Sequence, residues 1–450
     1  MTRLVWFRND LRVADNPALF EACETGEPVV AVFLVSDGQW REHGLGRPRL
    51  AFLKATLTRL ADDLTALGIP LWIERAPRFR DAPGAIVRIA QTLDATCVTF
   101  NAEYPLDEAR RDDAVVAACR ASGIECRAGH GDVILPPGLV AKDDGSPYAV
   151  FSAFKRRWQQ TVTAGDLSPL PSPQRIASSC TEPMPDPRPA LDAMPAPDAD
   201  PEWPAGEGAA LARLDEFLTR RIEAYADERD YPDKAATSRL SAYLSVGAIS
   251  GRTCFHRARL GGAGPGVDAW LNELIWREFY RHVVAAFPRV SRGRAFKAEM
   301  DDLQWRDDAT ALDAWKSGRT GYPLVDAGMR QLARTGFMHN RLRMLTAMFL
   351  TKHLLIDWRE GERHFMAHLR DADFPSNNGG WQWSASTGTD AVPYFRIFNP
   401  TSQAKKFDPN GSFVRKWVPE LADGGSSYPP PIVDHARARA RALDFFRTRR

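Results

Sequence analysis

Leu4-Val-Trp-Phe7 is an apolar run of strand length, and Asn16-Pro17 shortly after it reads as a helix cap followed by proline in the first turn. The alternation continues outward from there. Val29–Val35, Leu71–Glu74 and Cys97–Phe100 are further short apolar runs. Between them, Leu50–Leu67 and Leu106–Ala121 repeat apolar residues at helical spacing and stop at Gly68 and Gly123. Strands alternating with helices predict a parallel sheet covered by helices over residues 1–130. No Gly-x-Gly-x-x-Gly follows the first strand, so the usual dinucleotide fingerprint is absent.

From Ser168 to Pro204 the composition turns to Pro, Ser, Asp and Ala with little periodicity. That predicts a surface connector, and the interval 131–205 reads as the interdomain linker. After Gly206 the spacing is helical over 211–225, 241–260, 267–287, 309–317, 323–335, 338–356 and 361–370. The expected fold class is therefore α/β + all-α: a Rossmann-like parallel-sheet domain, then a helical domain over 206–450. A chain of 450 residues has room for two such cores.

Hydrophobic content of 44% and charged content of 26% are ordinary for a soluble protein. No apolar run approaches a membrane span, and Met1-Thr-Arg leads into the first strand without a signal-peptide pattern. Six cysteines without a Cys-x-x-Cys pair predict reduced, mostly buried thiols and a cytoplasmic protein. The net charge of +2 hides an asymmetry. Residues 206–450 carry 37 Lys and Arg against 29 Asp and Glu, a balance of +8; the other 22 and 28 leave the first 205 residues at −6. The helical half suits a polyanion, and its excess is mostly arginine, which grips phosphate bidentately. A solvated face with a basic tail ending in Arg447, Arg449 and Arg450 is the plainer alternative.

Three stretches carry chemistry. Asp371-Ala-Asp-Phe-Pro-Ser-Asn-Asn-Gly-Gly-Trp-Gln-Trp383 is poor material for a simple core helix. Its glycines admit close backbone approach, Asn377 and Asn378 offer amides, and Trp381 and Trp383 offer stacking faces. On a helix, Glu273, Trp276 and Tyr280 share one face, with Leu271, Leu274, Ile275 and Phe279 left for the core. A carboxylate beside an indole suits a base edge and its π face; a Glu273–Arg277 surface pair is the alternative. Asn340, Arg343 and Met344 also share a face, Met344 being an adaptable apolar contact or ordinary core. Thr237-Ser-Arg-Leu-Ser241 before an apolar run offers hydroxyls and free N–H groups to an anion, or simply caps a helix. An aspartate near Arg343 would make a buried ion pair. No metal-ligand spacing and no Ser/His/Asp or Cys/His nucleophile pattern is present.

Together these residues resemble the photolyase/cryptochrome flavoprotein family, most nearly its class I bacterial cyclobutane pyrimidine dimer photolyases. The match runs from Leu4-Val-Trp-Phe-Arg-Asn-Asp-Leu-Arg12 to about Pro431, through Thr237–Ser241, Trp270–His282, Thr320–Pro323, Met338–Met344, Ile356–Gly361 and Asn377–Asp390. The resemblance implies an N-terminal antenna domain and a C-terminal domain holding FAD. It implies that Tyr225, Thr237, Ser238, Arg239, Leu240 and Ser241 hold the cofactor's phosphate region, with Trp270, Arg343, Asp371, Asp373 and Asn377 around the rest. Glu273, Trp276, Asn340, Met344 and Trp383 would line the lesion pocket, with Arg229 and Arg341 toward DNA. Trp381, Trp358 and Trp305 would form the electron-transfer chain.

The activity implied is light-driven repair of ultraviolet-damaged DNA, by electron transfer from photoexcited reduced FAD to a flipped-out dimer. His43, Asp107 and Glu108 align with positions that hold 5,10-methenyltetrahydrofolate in relatives. Asp107 stands where Asn is familiar and Ser291-Arg292 replaces a Cys-Lys pair, so a deazaflavin or no antenna stays open. A monomer is expected. A cryptochrome-type photoreceptor is the alternative, opposed by the short stretch beyond the last matching segment. An adenylate-transfer enzyme would rest on the N-terminal half alone.

Overall fold

The computed structural model describes residues 2–176, 182–197, 200–421 and 427–447. Five strands, β1 (Thr2–Phe7), β2 (Val29–Val35), β3 (Leu71–Arg75), β4 (Ala95–Asn101) and β5 (Glu125–Gly129), form one parallel sheet in the order β3-β2-β1-β4-β5. Four lie where the apolar runs predict them. The fifth escaped the pattern because it is an edge strand with no fully buried residue.

Strand alternation divides the sheet's two faces. Val5, Phe7, Ala31 and Phe33 pack under α1 (Pro17–Cys23) and α2 (Arg47–Ala66). Leu4, Trp6, Val30 and Val32 pack under α3 (Ala82–Thr92) and α4 (Leu106–Ala121). Asn16 caps α1 as expected, its Oδ1 accepting from the Leu19 N–H at 3.2 Å.

The first core runs unbroken into the helical half, taking in Leu240, Tyr243, Trp270 and Phe279. Polar ties reinforce that junction. Arg12 donates to the Gly247 carbonyl at 3.0 Å and the Gly131 carbonyl at 2.8 Å, and Arg252 meets Asp15 at 2.7 Å. Gly247 has φ +69, and a Cβ there would come within 2.1 Å of the Asn9 carbonyl oxygen, so only glycine fits.

Within 131–205, Phe151–Thr161 forms α5, whose Phe151, Phe154 and Trp158 are buried in this same core. The buried Glu278 accepts from Ile134 N, Leu135 N and Trp158 Nε1 at 2.8, 2.9 and 2.6 Å, anchoring that interval to the helical half. Of the connector expected over Ser168–Pro204, residues 177–181 and 198–199 lie outside the described residues; the rest shows one short helix, Arg188–Leu191.

Helices of the second half include α6 (Glu207–Arg220), α7 (Ser241–Val246), α8 (Pro265–Ala286), α9 (Pro323–Thr335), α10 (Asn340–Met348), α11 (Trp358–His368), α12 (Phe374–Ala385) and α13 (His435–Arg447), of which α7, α8, α10, α11 and α12 supply residues to the site. The helix expected over 241–260 breaks at Gly247, and that expected over 338–356 widens into a π-helical turn at Phe349–Leu354.

The Asn-Gly-Trp run departs most from expectation: it is helix α12. Each glycine costs a helix interior about 1 kcal/mol relative to alanine. Asp373 offsets this as N-cap, accepting from Ser376 N at 3.3 Å, and Pro375 suits the first turn. Packing does the rest. Gly379 lies flush against the Tyr280 ring, and Trp381 fills the space left by Gly361, each too close for a Cβ.

The five described cysteines are free, Cys97, Cys119 and Cys254 buried; Cys180, Arg449 and Arg450 lie outside the described residues. Among the described residues no helix is long and apolar enough to cross a membrane.

Candidate active site

The 237–241 segment and helices α8, α10 and α12 enclose a cavity of about 510 Å³. Helix α8 buries Leu271, Ile275 and Phe279 away from the cavity and turns Glu273, Trp276 and Tyr280 to it, as its spacing predicts, while Leu274, expected with the core, is buried but lines the cavity as well. From α10 come Asn340, Arg343 and Met344; from α12 and the residues before it, Asp371, Asp373, Asn377, Trp381 and Trp383. Tyr225, Arg229, Thr237, Ser238, Arg239, Leu240, Ser241 and Trp270 complete the predicted lining.

One part of the wall carries hydroxyls. Thr237, Ser238 and Ser241 gather just before α7, and Trp270 Nε1 reaches Ser238 Oγ at 3.4 Å. Arg239 sits at φ +52 and its side chain pairs with Glu202 at 3.1 Å.

A second part carries the ion pair anticipated for Arg343. Its Nη2 contacts both carboxylate oxygens of Asp371, at 3.0 and 2.8 Å, while Nε donates to the Met338 carbonyl at 2.9 Å. Asp371 is nearly fully buried, so this geometry compensates a charge water no longer reaches. Burial alone would raise the Asp373 carboxyl, but Arg281 at 2.9 Å and Arg277 hold it down at about 2.

Asn377 lines the cavity with its Nδ2 tied to the Glu362 carbonyl oxygen at 3.1 Å. Behind it, Asn378 turns inward and donates to the Glu362 carboxyl at 2.7 Å, and Gln382 donates to Asn378 at 2.9 Å. Burial pushes the Glu362 carboxyl up to about 7. Of the two neighbouring asparagines, then, one faces the cavity and one is structural. Glu362 was missed because the Ile356–Gly361 motif ends one residue before it, and its role depends on a contact 16 residues away.

Among the residues expected to line a lesion pocket, Glu273 pairs with Arg229 at 2.7 Å, not with Arg277. Arg277 instead meets Asp132, which also holds Arg281. His339 contributes a buried, neutral ring, its pKa lowered to about 4 by burial.

Three predicted residues lie outside this lining. Arg341 pairs with Asp230 at 2.6 Å and rests 4.3 Å over the Phe407 ring. Trp358 is fully buried with the Arg359 guanidinium 4.8 Å over it, and Trp305 is half-buried against Phe445 at 5.3 Å. The Nε1 atoms of Trp381, Trp358 and Trp305 are all buried without a partner.

A second cavity, about 300 Å³, lies between the sheet domain and the helical half. His43, Asp107 and Glu108 line it together, His43 standing 3.3 Å from Asp107 and 3.4 Å from Glu108. Burial lowers the His43 pKa, but Glu108 and then Asp107 outweigh it and the net shift is upward. Ser291 lines this cavity too. Among the described residues no group of three or more His, Cys, Asp and Glu is placed to hold a metal.

Sequence comparison agrees with this arrangement. A family described as "DNA photolyase" matches residues 3–174, and one described as "FAD binding domain of DNA photolyase" matches residues 270–426. The deoxyribodipyrimidine photo-lyase of Vibrio cholerae is 42% identical, the alignment covering 99% of each chain. The crystal structure of a class III photolyase from Agrobacterium tumefaciens superposes with a TM-score of 0.89 at 34% identity, covering 100% of this chain and 97% of that one. A cryptochrome from Synechocystis reaches the same TM-score at 27% identity, covering 99% of each. The chain belongs to the DNA photolyase family, with the family's FAD-binding domain in its helical half.

The large cavity fits FAD on its own chemistry. It offers clustered hydroxyls for phosphates, the indoles of Trp270 and Trp381 for flat rings, and the Arg343–Asp371 pair and Asn377 for a polar ring edge. The unpartnered Trp381 Nε1 leaves a free donor on a residue of its wall.

Proposed function

We infer that this protein repairs cyclobutane pyrimidine dimers in ultraviolet-damaged DNA in a light-dependent reaction, as a carbon–carbon lyase. The observation that supports it is the convergence on one cavity of a flavin-type wall (Arg343, Asp371, Asn377, Trp381) and a base-type wall (Glu273, Trp276, Met344, Trp383). FAD, when bound, supplies the light-driven electron that opens the cyclobutane ring and takes it back afterwards.

The chain's residues do the remaining work. Thr237, Ser238, Arg239, Leu240 and Ser241, with Tyr225, hold the pyrophosphate region. Trp270, Arg343, Asp371, Asp373 and Asn377 fix the cofactor's orientation. Glu273 hydrogen-bonds the flipped-out dimer, Asn340 adds an amide, and Trp276, Trp383 and Met344 supply apolar and stacking surface. A dimer pairs and stacks poorly, so extruding it costs less than extruding an ordinary base. Arg229 and Arg341 stand on the DNA side, and the +8 helical half contributes phosphate contacts blind to sequence. Trp381, Trp358 and Trp305 carry electrons inward from the surface to reactivate the enzyme.

The smaller cavity is the antenna site, with His43, Asp107 and Glu108 holding 5,10-methenyltetrahydrofolate; a fluorescence spectrum separates that from a deazaflavin. The division is an antenna domain over 1–130, a linker over 131–205 and a catalytic domain over 206–450. The protein acts as a cytoplasmic monomer.

Transformation by ultraviolet-irradiated plasmid, treated with the protein in blue light or in darkness, tests the activity. Recovery in light alone is expected. No recovery, with flavin photoreduction intact, favours a photoreceptor, the reading for which the cryptochrome likeness speaks.

A further inference from the structure

We propose that Phe151 and Asp390 are positioning residues that set the gap between Trp276 and Trp383, a role that rests on assigning those indoles to the dimer.

One face of Trp276 is already taken. The Phe151 ring lies on it with centroids 3.6 Å apart and planes within 10°. Phe151 is itself buried, backed by Phe279 at 5.8 Å, with Phe154 behind that at 5.1 Å. Only the opposite face of the indole is left to receive a base, and its plane is fixed by a stack that begins on α5, outside the cavity lining.

The segment carrying Phe151 is clipped to the one leaving Trp383. Thr389 Oγ1 donates to the Ala149 carbonyl at 2.5 Å, the Asp390 N–H donates to the same oxygen at 3.2 Å, and the Phe151 N–H donates to Asp390 Oδ2 at 3.3 Å. Helix α5 has no side-chain cap of its own, so Asp390 supplies one from a distant part of the chain. Just beyond, the Val392 N–H returns to the Trp383 carbonyl at 3.3 Å. Asp390 holds φ +45, a left-handed backbone that aspartate tolerates better than most residues.

The two indoles come from different helices, α8 and α12, and this clip ties the segment stacked on the first to the segment leaving the second. Two pyrimidines fused through a cyclobutane ring form a bent, rigid object that cannot adjust to its host. Recognition therefore depends on the host's gap being held in advance. Undamaged DNA, bound through phosphate, makes no such demand.

The test uses full-length, flavin-loaded protein carrying Phe151→Leu, Phe151→Tyr or Asp390→Gly. It reads affinity for an oligonucleotide with one dimer, affinity for its undamaged twin, and single-turnover repair at saturation. Phe151→Leu should weaken damaged-DNA binding by roughly five- to tenfold, the worth of a lost aromatic pair. Undamaged-DNA affinity, the flavin spectrum and the saturated repair rate should stay within about twofold of wild type. Phe151→Tyr should restore binding, and Asp390→Gly, which keeps the positive φ but removes the acceptor, should lose roughly threefold. Unchanged discrimination in Phe151→Leu would overturn the proposal, as would equal losses on both DNAs. If Phe151→Leu does not fold, wild-type discrimination in Asp390→Gly overturns it alone. A wild-type protein with no preference for damaged DNA would instead defeat the assignment of the lesion pocket.

Discussion

The Arg229 guanidinium stands 2.7 Å from the Glu273 carboxylate on the cavity wall, 44 residues away in sequence. The pair is about one-third exposed on each side, so it steers more than it stabilises. It engages Oε1 of the carboxylate, and under the proposed role the other oxygen accepts from a base edge.

Glu273→Ala should therefore weaken damaged-DNA binding by about 1.5–3 kcal/mol, the worth of a hydrogen bond to a charged group, and lower repair yield. The flavin absorption spectrum should not change. Titration with dimer-containing oligonucleotide, beside that spectrum, checks both; loss of flavin would contradict the role.

Trp305→Phe should slow photoreduction of oxidised flavin yet spare repair by enzyme reduced beforehand. The indole is half-buried at the outer end of the proposed chain, and phenylalanine preserves its packing on Phe445 and Phe446. Transient absorption under blue light reads the first outcome and a repair assay on dithionite-reduced protein the second. Equal photoreduction in both proteins would exclude Trp305 from the chain.

Arg343→Ala should leave the buried Asp371 charge uncompensated, costing about 3 kcal/mol of stability and releasing flavin. Thermal unfolding and the bound-flavin ratio measure this. A Tm and flavin content matching wild type would show the pair to be ornamental.

The pH dependence has a definite sign. The folded Glu362 carboxyl titrates at about 7, whereas an unfolded glutamate loses its proton near pH 4.3. Between these values the folded state binds the extra proton, so this contribution is present in acid and lost as pH rises toward 7. Relative to Glu362→Gln, wild type should lose on the order of 2–3 kcal/mol of stability between about pH 5 and pH 8. Parallel denaturant titrations at the two pH values decide it; identical slopes for the two proteins would refute the assignment.

How far residues alone foretold this molecule depends on the range of the interaction. Leu4–Phe7 and Val29–Val35 declare a buried parallel sheet because their patterns are local, and the face of α8 is legible for the same reason. Strand β5, Glu125-Cys-Arg-Ala-Gly129, is not, since an edge strand needs no continuous apolar run. Helix α12 defied its composition because the compensation is tertiary: Tyr280 against Gly379, Gly361 under Trp381. The site residues came from motif resemblance, and spacing alone could not join Arg229 to Glu273 or Phe151 to Trp276. Each of those contacts closes a loop of more than 40 residues.

The most direct measurement is optical. Purified protein, flavin-loaded and fully reduced without oxygen, is mixed with an oligonucleotide carrying one thymine dimer and illuminated in the flavin band. The thymine absorbance lost on dimerisation should return with light dose, at a rate that tracks flavin absorption across wavelengths, and stay lost in darkness. Illumination that leaves that absorbance unrecovered, with reduced flavin and bound damaged DNA both verified in the cuvette, would contradict it.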